Sequence, residues 1–306
     1  MIVFDDALFL HQENSSQRQF QVLMGEISID PKNEVNFQKN MTHNMKIAKR
    51  DKFAYKHIIF PSKPMIYSES FKDIGVNLNS VFTEGFYHPE VIYPQLGVED
   101  YHLHDTHIND IGSFKVVSKV LEDIGYPLLP EPNYLNKKKH GDLMKMLGND
   151  SLENIKVING FKKMPFEPKE YNLNSALKGN TGDIKFLFNK DSLYNRRLVL
   201  FGDSFFEFSL RVYSLIFNEV IYLRNPYILD DIVRILQPDI VFTANTERYL
   251  FSVPDSERDK PWFMNYFSKK FNSNLLGEED RRAFESIFSG RHSKLYKEFL
   301  NNLHDS

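Results

Sequence analysis

Two short segments carry residue types that could together perform nucleophilic catalysis. In one, an apolar run, "LVLF", leads into Gly202-Asp203-Ser204, and the apolar-rich "FFEFSLRVYSLIF" follows. In the other, "YHLHDTHIND", Asp105 and His107 stand two positions apart. A serine is a weak nucleophile unless a base accepts its proton, and that base must be oriented by a third group. Because residues i and i+2 of an extended segment share a face, Asp105 could orient His107, and His107 could activate Ser204.

Each segment also fits a role outside nucleophilic catalysis. Gly, Asp and Ser are common in turns and helix caps, so the tripeptide alone fits an ordinary strand-to-helix turn capped by Asp203. The second segment offers a metal site whose ligands would be His102, His104, Asp105 and His107. Alternation places the first two on one face and the last two on the other, and the sequence shows no second ligand cluster. No metal is therefore predicted, and a purely structural role for the histidines stays open.

The elements around Ser204 alternate between strand and helix patterns. Apolar runs predict buried strands at 197–201, 219–223 and 238–245, with helices at 205–217 and 228–236 between them. Short connections between such elements imply a parallel sheet with helices on both faces. Ligands bind beyond the carboxyl ends of parallel strands, which is where Ser204 would lie.

The remaining segments extend this organisation over one predicted domain, 1–306. "KHIIFPSKPMIY" predicts a strand that ends at Pro61, a polar turn and a second extended piece, while "GSFKVVSKVLEDIG" predicts a helix that stops at Gly125. Residues from about 126 to 190 predict a loop-rich insertion or lid with one short strand at "IKVI". Their lysine-rich "NKKKHGDLMK" fits a solvated loop or, as the alternative, a surface for an anionic ligand. The amphipathic residues 278–303 predict a helical C-terminal extension.

Composition excludes several classes of function. The net charge of −3 over 306 residues gives no basic field for nucleic acid. The lack of cysteine excludes disulfides, a cysteine nucleophile and thiolate metal sites. The sequence has no signal-peptide pattern and no uninterrupted apolar run near the ~18 residues of a membrane span. These features predict a cytoplasmic protein.

The two segments resemble motifs of a known superfamily. "LVLFGDSFF" resembles the nucleophile block of the SGNH (GDSL-like) hydrolases, and "LHDTHINDIGSF" is similar to the Asp-x-His block of their alginate O-acetyltransferase-like branch. In that branch the Asp-His block precedes the serine block, as it does here, whereas in ordinary SGNH esterases it follows. Weaker similarities at "DALFLHQEN", "IIFPSKPMIYSE" and "QPDIVFTANTERYL" extend the resemblance patchily over residues 4–250. Ile108 stands where the branch usually has Trp, and members of the branch usually work in the periplasm.

The resemblance implies a fold and a reaction. The fold is a three-layer α/β SGNH-hydrolase-like domain with a central, mainly parallel sheet flanked by helices. The reaction moves an acetyl group through Ser204, His107 and Asp105 onto a hydroxyl of a bacterial surface polysaccharide (capsule, lipopolysaccharide or exopolysaccharide) or its precursor. It needs an acetyl donor, for which acetyl-CoA is one candidate, and no bound cofactor. The implied partners are a glycan acceptor and membrane-associated polysaccharide-assembly machinery.

Further residues are candidates for the oxyanion and substrate site. The serine backbone N–H at the helix start is one natural oxyanion donor. The other candidates lie after neighbouring strands, match the branch's Glu-Arg pair or offer aromatic faces to a sugar: Arg224, Asn225, Arg248, Tyr67 and Tyr101. Two other functions compete with acetyl transfer, namely an SGNH esterase and a non-catalytic polysaccharide-binding protein.

Overall fold

The computed structural model describes residues 1–4, 6–11, 18–161, 169–172, 183–256 and 277–288. The strands in these ranges are β1 (Ile2–Phe4), β2 (Ala7–Phe9), β3 (Ala54–Phe60), β4 (Val91–Ile92), β5 (Tyr134–Lys139), β6 (Glu153–Ile158), β7 (Lys169–Asn172), β8 (Ile184–Phe188), β9 (Tyr194–Phe201), β10 (Phe217–Leu223) and β11 (Ile240–Thr246). The helices are α1 (Gln19–Leu23), α2 (Pro31–Asp51), α3 (Lys63–Ile66), α4 (Ser68–Asp73), α5 (Asp110–Asp123), α6 (Asp142–Met146), α7 (Ser204–Ile216), α8 (Asp230–Leu236) and α9 (Glu278–Phe288). Short 3-10 turns cover Glu84–Phe86, Val98–Asp100 and Glu247–Ser252.

A mainly parallel sheet forms the centre of the molecule. Within the described ranges it has seven strands in the order β4-β3-β11-β9-β10-β8-β7. The first five run parallel, while β8 is antiparallel to β10 and β7 is antiparallel to β8. Two hairpins, β1–β2 and β5–β6, lie outside this sheet. The carboxyl ends of the parallel strands therefore meet at one edge, as predicted.

Helices cover both faces of the sheet. The α2 and α8 helices share one apolar core with the sheet, and α5 and α7 share the other. Side chains alternate accordingly along β9, where Val199 and Phe201 join the first core and Leu198 and Leu200 join the second. The continuous apolar pattern of this strand follows from burial on both faces. The predicted three-layer α/β fold is confirmed.

The segment after Pro61 corrects the prediction of a second extended piece. It forms α3 and then α4, because Ser62 takes an extended N-terminal position and Pro64 lies in the first turn, where its missing N–H costs nothing. The Met65 N–H donates to the Ser62 carbonyl and closes this turn.

The 126–190 region contains more regular structure than the sequence predicts. The strand at "IKVI" is part of β6, and the region also holds β5, α6 and β8 together with β7 at the sheet edge. Within the predicted C-terminal extension, Glu278–Phe288 form α9, and residues 289–303 lie outside the described ranges. The single domain over 1–306 stays a prediction. No helix in the described parts of the chain combines the length and apolar character needed to cross a bilayer.

Candidate active site

A tight turn between β9 and α7 presents Ser204 at the carboxyl edge of the sheet. Ser204 is the first residue of α7. A Cβ atom at Gly202 would lie 2.7 Å from Phe206 Cδ2 and 3.0 Å from the carbonyl oxygen of Ala244. Because a side chain has no room there, glycine allows the end of β9 to turn directly against β11. The bend in "GDS" therefore has a steric cause.

Asp203 fastens this turn. Its Oδ1 accepts a hydrogen bond from the Phe205 N–H at 2.9 Å, so it caps α7. Its Oδ2 accepts from the Thr246 N–H at 2.8 Å and from Thr246 Oγ1 at 2.6 Å. The cap thereby ties the start of α7 to the end of β11, and Asp203 has a structural role in the turn.

Ser204, His107 and Asp105 form one hydrogen-bonded chain. The distance between Ser204 Oγ and His107 Nε2 is 2.8 Å, and that between His107 Nδ1 and Asp105 Oδ1 is 2.6 Å. The exposed fractions of the three residues are 9%, 5% and 1%. With the ring proton on Nδ1 donated to Asp105, Nε2 can accept the serine proton. Burial raises the pKa of Asp105, but the hydrogen bond from His107 and nearby positive charges outweigh it and lower that pKa well below its usual range.

The segment that carries Asp105 and His107 is a bent loop and not the extended strand that alternation predicts. A bridge between Tyr101 and Ile108 closes it, and the His102 N–H donates to the His107 carbonyl at 3.1 Å. Asp105 still meets the His107 ring because its Oδ1 also accepts the His107 backbone N–H at 3.2 Å. The local turn thus provides the orientation that was expected from an extended segment.

Aromatic rings from α7 hold the imidazole. Phe208 stacks on the His107 ring with centroids 3.8 Å apart and planes 8° apart, and Phe205 lies at 5.1 Å with its plane tilted. Phe208 follows Ser204 by one helical turn, so the nucleophile and the ring that supports the base share one helix.

The structure brings together only two of the four ligands considered for a metal site. Asp105, His107 and Asp142 offer ligand atoms within 4.8 Å of one another, whereas His102 and His104 are not part of that group among the described residues. Both ring nitrogens of His107 already face Asp105 and Ser204. These positions suit the hydrogen-bonded chain better than a bound metal.

Two of the predicted oxyanion candidates are engaged elsewhere. Arg224 Nη1 donates to Glu207 Oε2 at 3.1 Å, and Asn225 Nδ2 donates to the Tyr227 carbonyl at 2.7 Å. Neither forms a hydrogen bond with Ser204 in the part of the chain that is described. By contrast, no group in those ranges accepts the Ser204 backbone N–H, so this donor is available at the start of α7.

The two tyrosine candidates lie in the core, because Tyr67 and Tyr101 are only 6% and 3% exposed. Tyr67 packs edge-on against Phe9, and the Tyr101 hydroxyl donates to the Pro61 carbonyl at 2.6 Å. Neither therefore offers an open face to a sugar.

Arg248 is also nearly buried, and its guanidinium stacks on Tyr249. The preceding Glu247 accepts hydrogen bonds from the backbone of Ser62 and Val81. The Glu-Arg pair is therefore not joined by an ion pair among the described residues.

Sequence reasoning missed the charged groups that surround the Asp-x-His loop. Lys63 donates to the carbonyls of Leu8, Leu103 and Asp105 at 2.8–3.0 Å, and burial lowers its pKa to about 8. Lys139 Nζ lies 3.1 Å from Asp105 Oδ2. The lysine run gave no signal for this contact, since only the pairing of β5 with β6 selects which lysine turns inward.

Two cavities lie near the triad. The larger, of about 750 Å³, lies on the α2 side and is lined by Gly202, Asp203 and Asn225 among others. A recess of about 10 Å³ lies beside Thr106 and Phe205. The Ser204 hydroxyl itself faces His107, so the larger cavity borders the nucleophile turn without containing the hydroxyl.

Two solved structures share the fold of this protein at low sequence identity. No protein-family model and no curated protein matches the sequence. A DHHW family protein from Eubacterium siraeum aligns with a TM-score of 0.51 and 11% identity, over 79% of this chain and 90% of that one. Bacillus cereus PatB1, solved with a sulfonyl adduct, aligns with a TM-score of 0.51 and 11% identity, over 74% of this chain and 93% of that one.

The O-acetyltransferase domain of Pseudomonas putida AlgJ aligns over 78% of this chain and 92% of that one, with 12% identity and a TM-score of 0.40. That score is too low to add to the fold assignment. The first two matches show a shared fold at low identity. They add no evidence on activity, which depends on the residues of the site.

Proposed function

We propose that this protein is an O-acetyltransferase that moves an acetyl group through Ser204, His107 and Asp105 onto a hydroxyl of a bacterial surface polysaccharide or its precursor. The observation that carries the proposal is the unbroken chain of short contacts from Ser204 Oγ through the imidazole to Asp105. The order of the two motifs along the chain and the shared fold support it.

In the acylation step, Ser204 Oγ attacks the carbonyl carbon of the acetyl donor while His107 Nε2 takes the serine proton. Asp105 stabilises the resulting imidazolium through Nδ1. The Ser204 N–H, at the positive end of α7, donates to the developing oxyanion. The carbonyl then reforms, the donor's leaving group departs with the proton from His107, and an acetyl-serine is left.

In the transfer step, a glycan hydroxyl gives its proton to His107 Nε2 and attacks the acetyl-serine. Ser204 then recovers its proton as it leaves, and the product is an O-acetylated sugar. Water in place of the sugar would make the same residues an esterase, so the acceptor site decides between the two reactions.

We assign the larger cavity to the part of the glycan away from the reacting hydroxyl, because the cavity borders the nucleophile turn but does not contain the Ser204 hydroxyl. Its volume of about 750 Å³ lies within the range of small-molecule sites. Its walls combine the nucleophile turn with the amide side chain of Asn245 and the aromatic rings of Tyr227 and Tyr249. Amides suit sugar hydroxyls, and aromatic faces suit sugar C–H groups.

The test is intact-protein mass spectrometry after incubation with an activated acetyl ester. We expect one added acetyl on the wild type, none on Ser204→Ala and little on His107→Ala. Acetyl-CoA is one candidate donor to test next, and added oligosaccharides should accept the acetyl group from the enzyme. Release only as acetate would favour the esterase. Polysaccharide binding that Ser204→Ala leaves unchanged, with no acetyl-serine and no labelling by a serine-reactive phosphonate, would favour the non-catalytic protein.

A further inference from the structure

We propose that Lys139, supplied by the β5–β6 hairpin, is a positioning residue that holds the Asp105 carboxylate in its productive orientation. This inference rests on the proposed function, because it assigns a role within the same triad. It also gives the 126–190 region a part in the active site.

Lys139 contacts the far side of the triad. Its Nζ lies 3.1 Å from Asp105 Oδ2, whereas Asp105 Oδ1 faces His107. The same ammonium lies 4.8 Å from the centroid of the Phe208 ring, which stacks on His107. One cation thus contacts both the carboxylate that orients the base and the ring that supports it.

The Asp105 carboxylate needs such a cation. Asp105 is 1% exposed, and no well-aligned hydrogen bond reaches its Oδ2 in the described ranges. A buried charge is costly unless it is paired. Since the contact with Lys139 is close but not well aligned, the lysine acts by charge. Attraction at Oδ2 keeps Oδ1 turned toward the imidazole.

Lys139 is itself held in place by His102. The two side-chain nitrogens, Lys139 Nζ and His102 Nε2, lie 3.1 Å apart. An ammonium group can only donate, so His102 Nε2 accepts in this contact, while His102 Nδ1 lies 3.3 Å from Glu153 Oε1. Glu153 in turn accepts the Leu103 N–H at 2.7 Å. These contacts join Lys139 of β5 and Glu153 of β6 to the Asp-x-His loop.

The helix between the two hairpin strands also contacts the loop. The Thr106 N–H donates to Asp142 Oδ1 at 3.2 Å, and the Leu143 N–H donates to the His104 carbonyl at 3.2 Å. A side chain at Gly141 would collide with that same carbonyl. The hairpin and α6 therefore both bind the Asp-x-His loop and restrict its conformation.

Several other charged or titratable groups surround Asp105. His102 and His107 belong to its own loop, Asp142 belongs to α6, and Lys63 of α3 binds the Asp105 backbone carbonyl. Among these, the cation next to the free carboxylate oxygen is Lys139.

The experiment compares Lys139→Met and Lys139→Arg with Lys138→Met, a matched control on the exposed lysine next in the run. The full chain is assayed for kcat and KM with an activated acetyl ester. Loss of the triad carboxylate itself costs about 10⁴ in rate, so loss of the residue that positions it should cost about 10- to 100-fold in kcat. We expect KM to change by less than about twofold, since binding is not affected.

The conservative and control variants sharpen the result. Lys139→Arg should recover most of kcat because it keeps the charge, and Lys138→Met should match the wild type. In Lys139→Met, the acid limb of the kcat/KM profile should move to higher pH, because removing a nearby cation favours the protonated base. A merely structural lysine would change the melting temperature without this pH shift.

The possible failures are distinguishable. An active wild type whose kcat survives Lys139→Met, or whose KM rises while kcat holds, overturns the inference and leaves the proposed function standing. A wild type without serine-dependent acetylation overturns the proposed function itself. If Lys139→Met does not fold, Lys139→Gln replaces it, and the same kcat and pH criteria decide.

Discussion

The Asp105→Asn variant isolates the charge of the triad carboxylate, because asparagine keeps the shape of the side chain. The asparagine oxygen can still accept both N–H groups of His107, at the positions now 2.6 Å and 3.2 Å from Oδ1. With Asp105 1% exposed, water does not screen the lost charge. At an effective dielectric constant of about 20, opposite charges about 4 Å apart attract by about 4 kcal/mol, or about 10³ in rate.

A second effect adds to this loss. If the amide rotates, its NH₂ group faces Nδ1, and the proton must move to Nε2, which then cannot accept from Ser204. An asparagine in this position of a serine triad lowers kcat by about 10⁴ for that reason. We therefore expect kcat to fall between about 10³- and 10⁴-fold.

The assay is the rate at which Ser204 becomes acetylated, followed by intact mass. Asp142→Asn is the matched control, since its carboxylate lies 4.0 Å from the same Nδ1 but is 37% exposed. Screening by water should keep that loss below about tenfold. If Asp105→Asn kept more than a tenth of the wild-type rate, or if Asp142→Asn lost more than Asp105→Asn, the orienting role of Asp105 would be refuted.

Three further changes test the supports of the site. Asp203→Ala should lower the free energy of unfolding, measured by urea denaturation, by about 2–4 kcal/mol, because it removes a helix cap and leaves the buried Thr246 N–H unpaired. An unchanged urea midpoint would contradict the anchoring role of Asp203. Gly202→Ala should lower the same free energy by about 1–3 kcal/mol because the added Cβ would collide with Phe206. An unchanged free energy of unfolding would show that the turn can accommodate a Cβ atom. The lowered pKa of Lys63, about 8, means that its charge costs stability below pH 8, and this cost disappears by pH 10.5. Wild type should therefore gain about 3 kcal/mol relative to Lys63→Met between these pH values, whereas parallel stability curves would show that Lys63 titrates normally.

The alternating elements from residue 197 onward could be predicted because each carries a strong local signal. The apolar run of β9 is typical of a strand covered on both faces, and the short connections to helices on either side favour parallel pairing. The contact between the serine turn and the Asp-x-His segment could be predicted because a serine nucleophile needs a base and that base needs an orienting carboxylate. Neither segment alone distinguished catalysis from a capped turn or a metal site, and the two together favoured catalysis.

The surroundings of the triad could not be predicted, because they depend on contacts between distant segments. Lys139 stands in a run of lysines, and only the register of β5 against β6 decides which one faces Asp105. The partner of Tyr101, a candidate for the sugar site, could not be predicted for a similar reason. Its buried hydroxyl donates to the carbonyl of Pro61, which lies 40 positions away along the chain.

The position of β11 in the sheet decides when the active site can exist. The base belongs to the part of the chain around β3 and β4, and the nucleophile belongs to the part around β9 and β10. These two parts are joined in the sheet by β11, which pairs with β3 on one side and β9 on the other although it is synthesised after both. Pairing Ala54 with Ile240 closes a very long loop, and such contacts form slowly. A nascent chain that still lacks β11 therefore holds all three triad residues without the strand that joins their two parts of the sheet, and activity should appear only after β11 has paired.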